Sequence, residues 1–217
     1  MTIVIVKRSG MTGEVRTRMA EGAALLLAKH GLQGTSFSEV LELTGAPRGS
    51  VYHHFPNGKN QLIDSALDVA GGRALDLLES WAGAPPERVV ENFLGIWREI
   101  LSRSQFGAGC AVLAVTVATD SPQLLRHAAE IFRAWRTRLA DLFEQGGLPP
   151  RRAARFAATL VASSEGAVAL SRAEQSMEVF DLVSEQLLDQ IRSMDVAPLA
   201  AGGESAVKGD VLDSRGL

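Results

Sequence analysis

The stretch from Ser36 to Lys59 reads SFSEVLELTGAPRGSVYHHFPNGK, and its local chemistry decides the fold. SFSE, from Ser36 to Glu39, is a capping box. The Ser36 hydroxyl is placed to accept one of the orphan amides that open a helix, and Glu39, three residues on, reaches back to the serine's own amide. Val40, Leu41 and Thr44 carry that helix to Gly45, a residue that ends helices because it takes a left-handed backbone without a Cβ penalty. After Gly45-Ala46-Pro47 a second short helical segment, RGSVYHHF, sets Val51 and Phe55 one turn apart on a single buried face, and Pro56-Asn57-Gly58 breaks it.

The flanks extend the helical pattern in both directions. Upstream, Val15, Met19, Ala23, Leu26 and Leu27 follow helical spacing between Thr12 and His30, with Gly31 as the stop. Downstream, a long helix is expected from Lys59 to about Trp81, with Leu62, Ala66, Val69, Leu75 and Leu78 on its inner side. Asn57 is placed to cap this helix, and Gly71-Gly72 is a candidate kink. Pro85-Pro86-Glu87 opens a fifth helix through Ser104, and Asp120-Ser121-Pro122 opens one that runs to Gln145. Between them, GAGCAVLAVTVAT (107–119) has the β-branched content of a buried strand. Helix is preferred there, because a lone strand among helices has no partner for its backbone groups. Residues 151–172 form a helix with a small residue on nearly every turn, and residues 177–194 form a last amphipathic one. The fold class expected is therefore all-α with about nine helices: an N-terminal three-helix unit over 12–58, a larger helical body over 59–195, and an aperiodic tail over 196–217 expected to be flexible.

Composition limits what such a chain does. At 46% hydrophobic and 22% charged residues it is globular. No apolar run reaches the roughly 20 residues of a membrane span, and the N-terminal apolar stretch is too short for a signal peptide, so no membrane partner is expected and a cytoplasmic location is. The lone Cys110 excludes an intrachain disulfide and a cysteine-based metal site. His53 and His54 point about 100° apart on a helix, while His30 and His127 are isolated in sequence. No metal and no cofactor are expected. The chain has no nucleophile elbow, phosphate-binding glycine loop or His/Asp/Glu cluster at catalytic spacing, which argues against an enzyme. The charge is divided: residues 1–63 carry seven Lys/Arg against four acids, a net of +3, so the overall −3 leaves −6 on the remainder. A basic end on an acidic body fits a protein that meets a polyanion at one end only.

Three short helices, the second ending in a glycine turn and the third beginning three residues later, have the helix-turn-helix pattern, in which the third helix enters the DNA major groove. That geometry presents Pro47, Arg48, Gly49 and Ser50, then Tyr52 and His53, to the duplex. Arg48 brings a bidentate fork suited to a guanine edge, and Gly49 lets the backbone approach. The segment TSFSEVLELTGAPRGSVYHHFPNGKNQL (35–62) resembles the signature of the TetR family of repressors, and TGAPRGSVYHHFPNGK within it is similar to the LmrA/YxaF-like subgroup. Where the family often has Ser at the third helix's start, this chain has Pro47, whose fixed φ suits that position. The resemblance implies phosphate contacts for Ser36, Tyr52 and Lys59. It also implies a homodimer formed mainly by the last two long helices, with a ligand cavity in each subunit.

The residues agree with that implication. Leu160, Ser163, Gly166 and Ala167 form a face for close helix approach, and Leu182, Val183, Gln186 and Leu187 complete a candidate four-helix interface across a two-fold axis. Phe93, Trp97, Cys110, Leu113 and Trp135 recur at helical spacing and are candidates to line a cavity for a small apolar or aromatic effector. Glu165 stands alone in a small, apolar helix. It calls for Arg155, Arg172 or a partner-subunit group, or for a ligand donor. The function expected is a ligand-responsive repressor that binds double-stranded operator DNA and releases a palindromic site on taking up its effector. The rivals are an activator of the same architecture and a helical binding protein without DNA affinity.

Overall fold

A computed structural model describes residues 9–194, with side chains from residue 13; the expected tail lies outside the described residues. These residues form nine α-helices and no strand. The first, α1 (Ser9–His30), ends where Gly31 turns to φ +69° and its amide closes onto the Leu27 carbonyl at 3.0 Å. The second, α2 (Phe37–Thr44), is opened by the capping box: the Ser36 hydroxyl accepts from the Glu39 amide at 3.3 Å, and a Glu39 carboxylate oxygen accepts from the Ser36 amide at 2.8 Å. Gly45 ends it at φ +64°. The third, α3 (Ser50–His54), buries Val51, while Phe55 beyond its end is fully enclosed.

The long α4 (Lys59–Glu79) is continuous through Gly71-Gly72, and Asn57 does not cap it. Gly58, at φ +82°, takes the cap position with no side-chain hydrogen bond, and the Asn57 amide instead donates to Gln61 Oε1 at 3.0 Å. Gly71 has a packing role. An added Cβ would sit 3.0 Å from Ile131, so its absence lets α4 lie against α7 (Pro122–Gln145). The same contact is pinned by the Trp135 indole, which donates to the Gly71 carbonyl at 3.1 Å. A second pin is His127, whose Nδ1 lies 2.7 Å from Asp64 and whose Nε2 lies 3.1 Å from Asp68, one turn apart on α4. His127 is therefore not isolated.

The remaining elements are α5 (Pro86–Arg103), α6 (Ala111–Ala118), α8 (Pro150–Glu174) and α9 (Glu178–Arg192). The ambivalent 107–119 segment is helical where it is ordered into an element, and Cys110 caps it, its sulfur accepting from the Leu113 amide at 3.3 Å. A sharp turn precedes it, with Gln105 and Phe106 both at positive φ. Arg172 holds that turn, donating to the carbonyls of Phe106, Gly107 and Lys29 at 3.3–3.4 Å. The body is thus layered. The helix α1 packs on α2, α4 and α6; α4 packs on α7, α7 on α8, and α8 on α9; α5 closes against α7, α8 and α9. No described helix is long and apolar enough to cross a membrane.

Candidate functional site

The polar face of α2 and α3 is built from local rules. Val40, Ala46, Val51 and Phe55 turn inward beneath it, and Phe37 packs on Phe55 with ring centroids 6.5 Å apart. What faces outward is fixed by subtraction. Pro47, Arg48, Gly49 and His53 are exposed, and Tyr52 is 79% exposed, an unusual position for an aromatic side chain without an outside partner. Ser36 is half-buried; its oxygen accepts from the α2 amide and its hydroxyl proton remains available to an acceptor. His54 lies behind His53, with ring centroids 5.1 Å apart. Desolvation, aided by His53 and by Arg16, holds its pKa below the ordinary histidine value.

Two expected DNA contacts also make bonds within the protein. Ser50 is half-buried and its hydroxyl donates to the Pro47 carbonyl at 2.6 Å, so it closes the first turn of α3 and does not face outward. Lys59 Nζ donates to the Leu32 carbonyl at 2.8 Å, tying the start of α4 to the turn after α1. An ammonium has three donors, so this contact fixes the side chain and leaves hydrogens for a phosphate.

A cavity of about 350 Å³ lies deeper in the body. Its walls come from five helices and one connecting turn. They include Ala24, Leu25 and Ala28 of α1; Ala74, Leu77 and Leu78 of α4; Phe93, Trp97 and Ile100 of α5; Trp135 of α7; and Ala108 to Val112 leading into α6. Nearly every wall atom is apolar, and Arg73 is the one charged lining residue. Small side chains from α1 and α4 leave the space and aromatic ones from α5 and α7 shape it. Trp135 also packs edge-on against Phe132, with centroids 5.4 Å apart. A second cavity, about 380 Å³, shares Gly109 and Cys110 with the first and is lined further by Leu113, Glu165 and Arg172. The six residues expected around an effector thus fall on two adjoining spaces: Phe93, Trp97 and Trp135 on the first, Leu113 and Glu165 on the second, Cys110 on both.

Glu165 has none of the ionic partners expected of it. It is 7% exposed, and neither carboxyl oxygen has a hydrogen-bond partner. Arg172 is committed to backbone carbonyls instead. Burial raises the Glu165 pKa to about 7, an effect the adjacent Cys110 thiol partly offsets. Burial, with the Glu165 charge second, pushes the Cys110 thiol well above the ordinary thiol value, so it is protonated at neutral pH and not poised as a reactive thiolate.

Sequence reasoning missed how the turn before α6 is anchored. The Gly109 amide donates to the Ala28 carbonyl at 2.8 Å, and Arg172 reaches the Lys29 carbonyl. The shared wall of both cavities is therefore bonded to the end of α1. No local signal could have shown this, since the partners lie about 80 and 140 residues apart. Of the eight residues expected at a subunit interface, Leu160, Ala167 and Leu187 are buried in this protomer's own core. Ser163 and Val183 are half-buried, and Gly166, Leu182 and Gln186 are exposed. The buried three are covered because α8 packs within the protomer on α7, α9 and α5.

A helix-turn-helix with an outward reading face, carried on a helical body with an apolar cavity, defines a class of DNA-binding regulators. Residues 20–66 match the family described as bacterial regulatory proteins, tetR family, and residues 86–186 match the C-terminal domain of LmrA/YxaF-like transcriptional regulators. The chain is 35% identical over 179 residues to an uncharacterised HTH-type transcriptional regulator of Mycobacterium tuberculosis, covering 79% of this chain and 91% of that one. It is 27% identical over 165 residues to the HTH-type transcriptional regulator LmrA of Bacillus subtilis, covering 73% and 87%. A TetR transcriptional regulator of Chloroflexus aurantiacus superposes with a TM-score of 0.70 at 26% identity, over 84% of this chain and 96% of that one. The chain belongs to the TetR family of DNA-binding transcriptional regulators, with a C-terminal region of the LmrA/YxaF-like type.

Proposed function

We propose that the protein is a ligand-responsive repressor: a homodimer that holds a palindromic operator and releases it when a small apolar or aromatic molecule fills the cavity. One observation carries this reading. The cavity is walled by α1, which packs directly on α2, and by α4, which packs on α1. A ligand that prefers one setting of α1 and α4 prefers one spacing of the two reading helices, and operator binding requires a spacing of about 34 Å. DNA and effector then oppose each other through linkage, commonly by about 1 to 3 kcal/mol. The 12–58 unit carries the reading helices and lends α1 to the cavity wall, while 59–195 supplies the rest of that wall and the partner contacts, with Lys59 at its start reaching back to DNA; the packing is continuous between them. The dimer is assigned to the faces of α8 and α9 still open in the protomer, where Gly166 allows close approach and Leu170 and Leu182 are 51% and 61% exposed. Arg48, Tyr52, Ser36 and Lys59 make the DNA contacts, Arg48 to a base and the others to phosphates.

Repression is favoured over activation because occluding a promoter needs DNA binding alone, whereas activation needs a further surface for the transcription machinery. The test is a gel shift with the DNA upstream of the protein's own gene, at fixed salt. The wild-type protein is expected to bind one palindrome overlapping the promoter and to release it as apolar aromatic compounds are titrated in. Arg48→Ala is expected to lose its base preference at one position per half-site, at a cost of about 1 to 3 kcal/mol. An unchanged preference at every position refutes the Arg48 assignment, and an operator lying wholly upstream of the promoter favours the activator.

A further inference from the structure

The cavity described above is apolar, yet the space adjoining it holds a buried carboxyl group with no ionic partner, its one polar neighbour the Cys110 thiol. Glu165 is 7% exposed, both of its oxygens lack partners, and it lines the second cavity, which is separated from the first by the shared wall of Gly109 and Cys110. A buried carboxyl left without donors is a costly arrangement, and native proteins keep such groups where something else completes them. Resting on the effector-binding reading, we propose that Glu165 is the polar specificity determinant of the site. It selects lipophilic molecules whose apolar body fills the main cavity and whose terminal hydrogen-bond donor, above all a protonated amine, reaches past Cys110 to the carboxyl.

The surroundings favour a donor at Glu165. Each group able to supply charge around Glu165 is accounted for by element. From α1, His30 lines the outer part of the cavity and is exposed. At the start of α6, Cys110 is a neutral thiol. From α8 itself, Arg172 lies two turns on but directs its Nε and Nη2 to the carbonyls of Phe106, Lys29 and Gly107. The carboxyl therefore has unsatisfied acceptor capacity and no bound cation. To the ionised carboxylate an ammonium offers a hydrogen bond between opposite charges, a hydroxyl a hydrogen bond from an uncharged donor, and a second carboxylate repulsion. Because burial places the Glu165 pKa at about 7, the carboxyl is half ionised at neutral pH in the free protein. An arriving ammonium favours the ionised form, so amine affinity rises with pH while the amine stays protonated.

Three probes that share one apolar body separate the outcomes: 4-phenylbutylamine, 4-phenylbutanol and 4-phenylbutyrate. Their binding to the full chain is measured by calorimetry and by quenching of tryptophan emission, since Trp97 and Trp135 line the cavity. The wild-type protein is expected to bind the amine about tenfold more tightly than the alcohol and the acid more weakly than either. The amine constant strengthens from pH 6 to pH 8, and the alcohol constant does not. Glu165→Gln is expected to bring amine and alcohol together and to abolish the pH dependence, leaving alcohol affinity within about threefold of wild type. A wild-type protein that prefers the alcohol, or whose amine affinity is flat across pH 6 to 8, overturns the proposal without reference to any variant. If alcohol and amine bind equally, the cavity is an effector site but Glu165 is not its determinant. If none of the three quenches tryptophan emission, the effector reading itself falls.

Discussion

The α2–α3 face and the cavity differ in how they are built. The first is made of residues within a span of about two dozen, each placed by a neighbour a few positions away: Ser36 by Glu39, Gly45 by the Leu41 carbonyl, Ser50 by Pro47. The second is made by residues brought from α1, α4, α5, α6 and α7, and its one unpartnered charge sits on α8. The first is shaped by local hydrogen bonds, the second by tertiary packing. A regulator of this design keeps its reading face constant and lets its cavity vary, because changing a cavity wall does not disturb the capping and turn geometry that presents Arg48 and Tyr52.

The largest expected effect falls in the first region. Phe55 is fully buried beneath α2 and α3, and the Arg16 guanidinium lies 5.7 Å from its ring centroid. Phe55→Ala is expected to cost about 3 to 5 kcal/mol and to abolish operator binding. The three tryptophans, at 81, 97 and 135, all lie beyond the α2–α3 region. Urea unfolding followed by tryptophan emission should therefore keep a midpoint close to wild type, while the circular dichroism transition gains an earlier phase. Coincident transitions would mean that the two regions melt as one unit and that the contrast between them is geometrical only.

How much could be read beforehand follows the same contrast. The capping box, the glycine stop and the i, i+4 pair of Val51 and Phe55 are signals of sequence, and they appear in the structure at those residues. So does α6, settled by the argument that a lone strand has no partner. The misplacements have tertiary causes. Asn57 loses the cap because Gly58 takes the position at positive φ, and Lys59 turns toward Leu32 because the end of α1 lies beside it. The pairing of His127 with Asp64 and Asp68, and of Arg172 with three carbonyls, joins helices far apart in the chain and leaves no periodic trace. Leu160, Ala167 and Leu187 look alike as interface or core, and only the fold assigns them to the core.

The next effect tests whether Glu165 is a stored cost of the cavity. Its carboxyl has a pKa of about 7 in the folded chain against an ordinary 4.5. The folded state therefore binds the proton more tightly than the unfolded state does. The associated stability is fully present below pH 4.5 and is lost as pH rises to and through 7, by on the order of 3 kcal/mol. Glu165→Gln has no proton to lose. The difference in unfolding free energy between wild type and variant, followed by urea denaturation from pH 4.5 to pH 8, should move by that amount in the variant's favour. A difference that is constant with pH means the carboxyl finds a partner in solution.

The smallest effect concerns α4, which lines the cavity and packs on α1 and α7. Gly71 and Gly72 are neighbours in this helix, and replacing either by Ala gains roughly 1 kcal/mol of helix propensity. At Gly72 nothing lies within 4 Å of the new Cβ, so Gly72→Ala should stabilise the protein by about that amount. At Gly71 the Cβ meets Ile131, which is itself buried and cannot swing clear. Overpacking of this kind costs about 1 to 3 kcal/mol, so Gly71→Ala should destabilise by about 1 kcal/mol, and Ile131→Val on the same chain should recover most of the loss. Thermal unfolding of the three variants reads the signs directly. If Gly71→Ala stabilises like Gly72→Ala, the α4–α7 contact yields under load. The cavity could then fill without moving α4, and the mechanical link between effector and reading face would have to run through α1 and the Gly109–Ala28 bond instead.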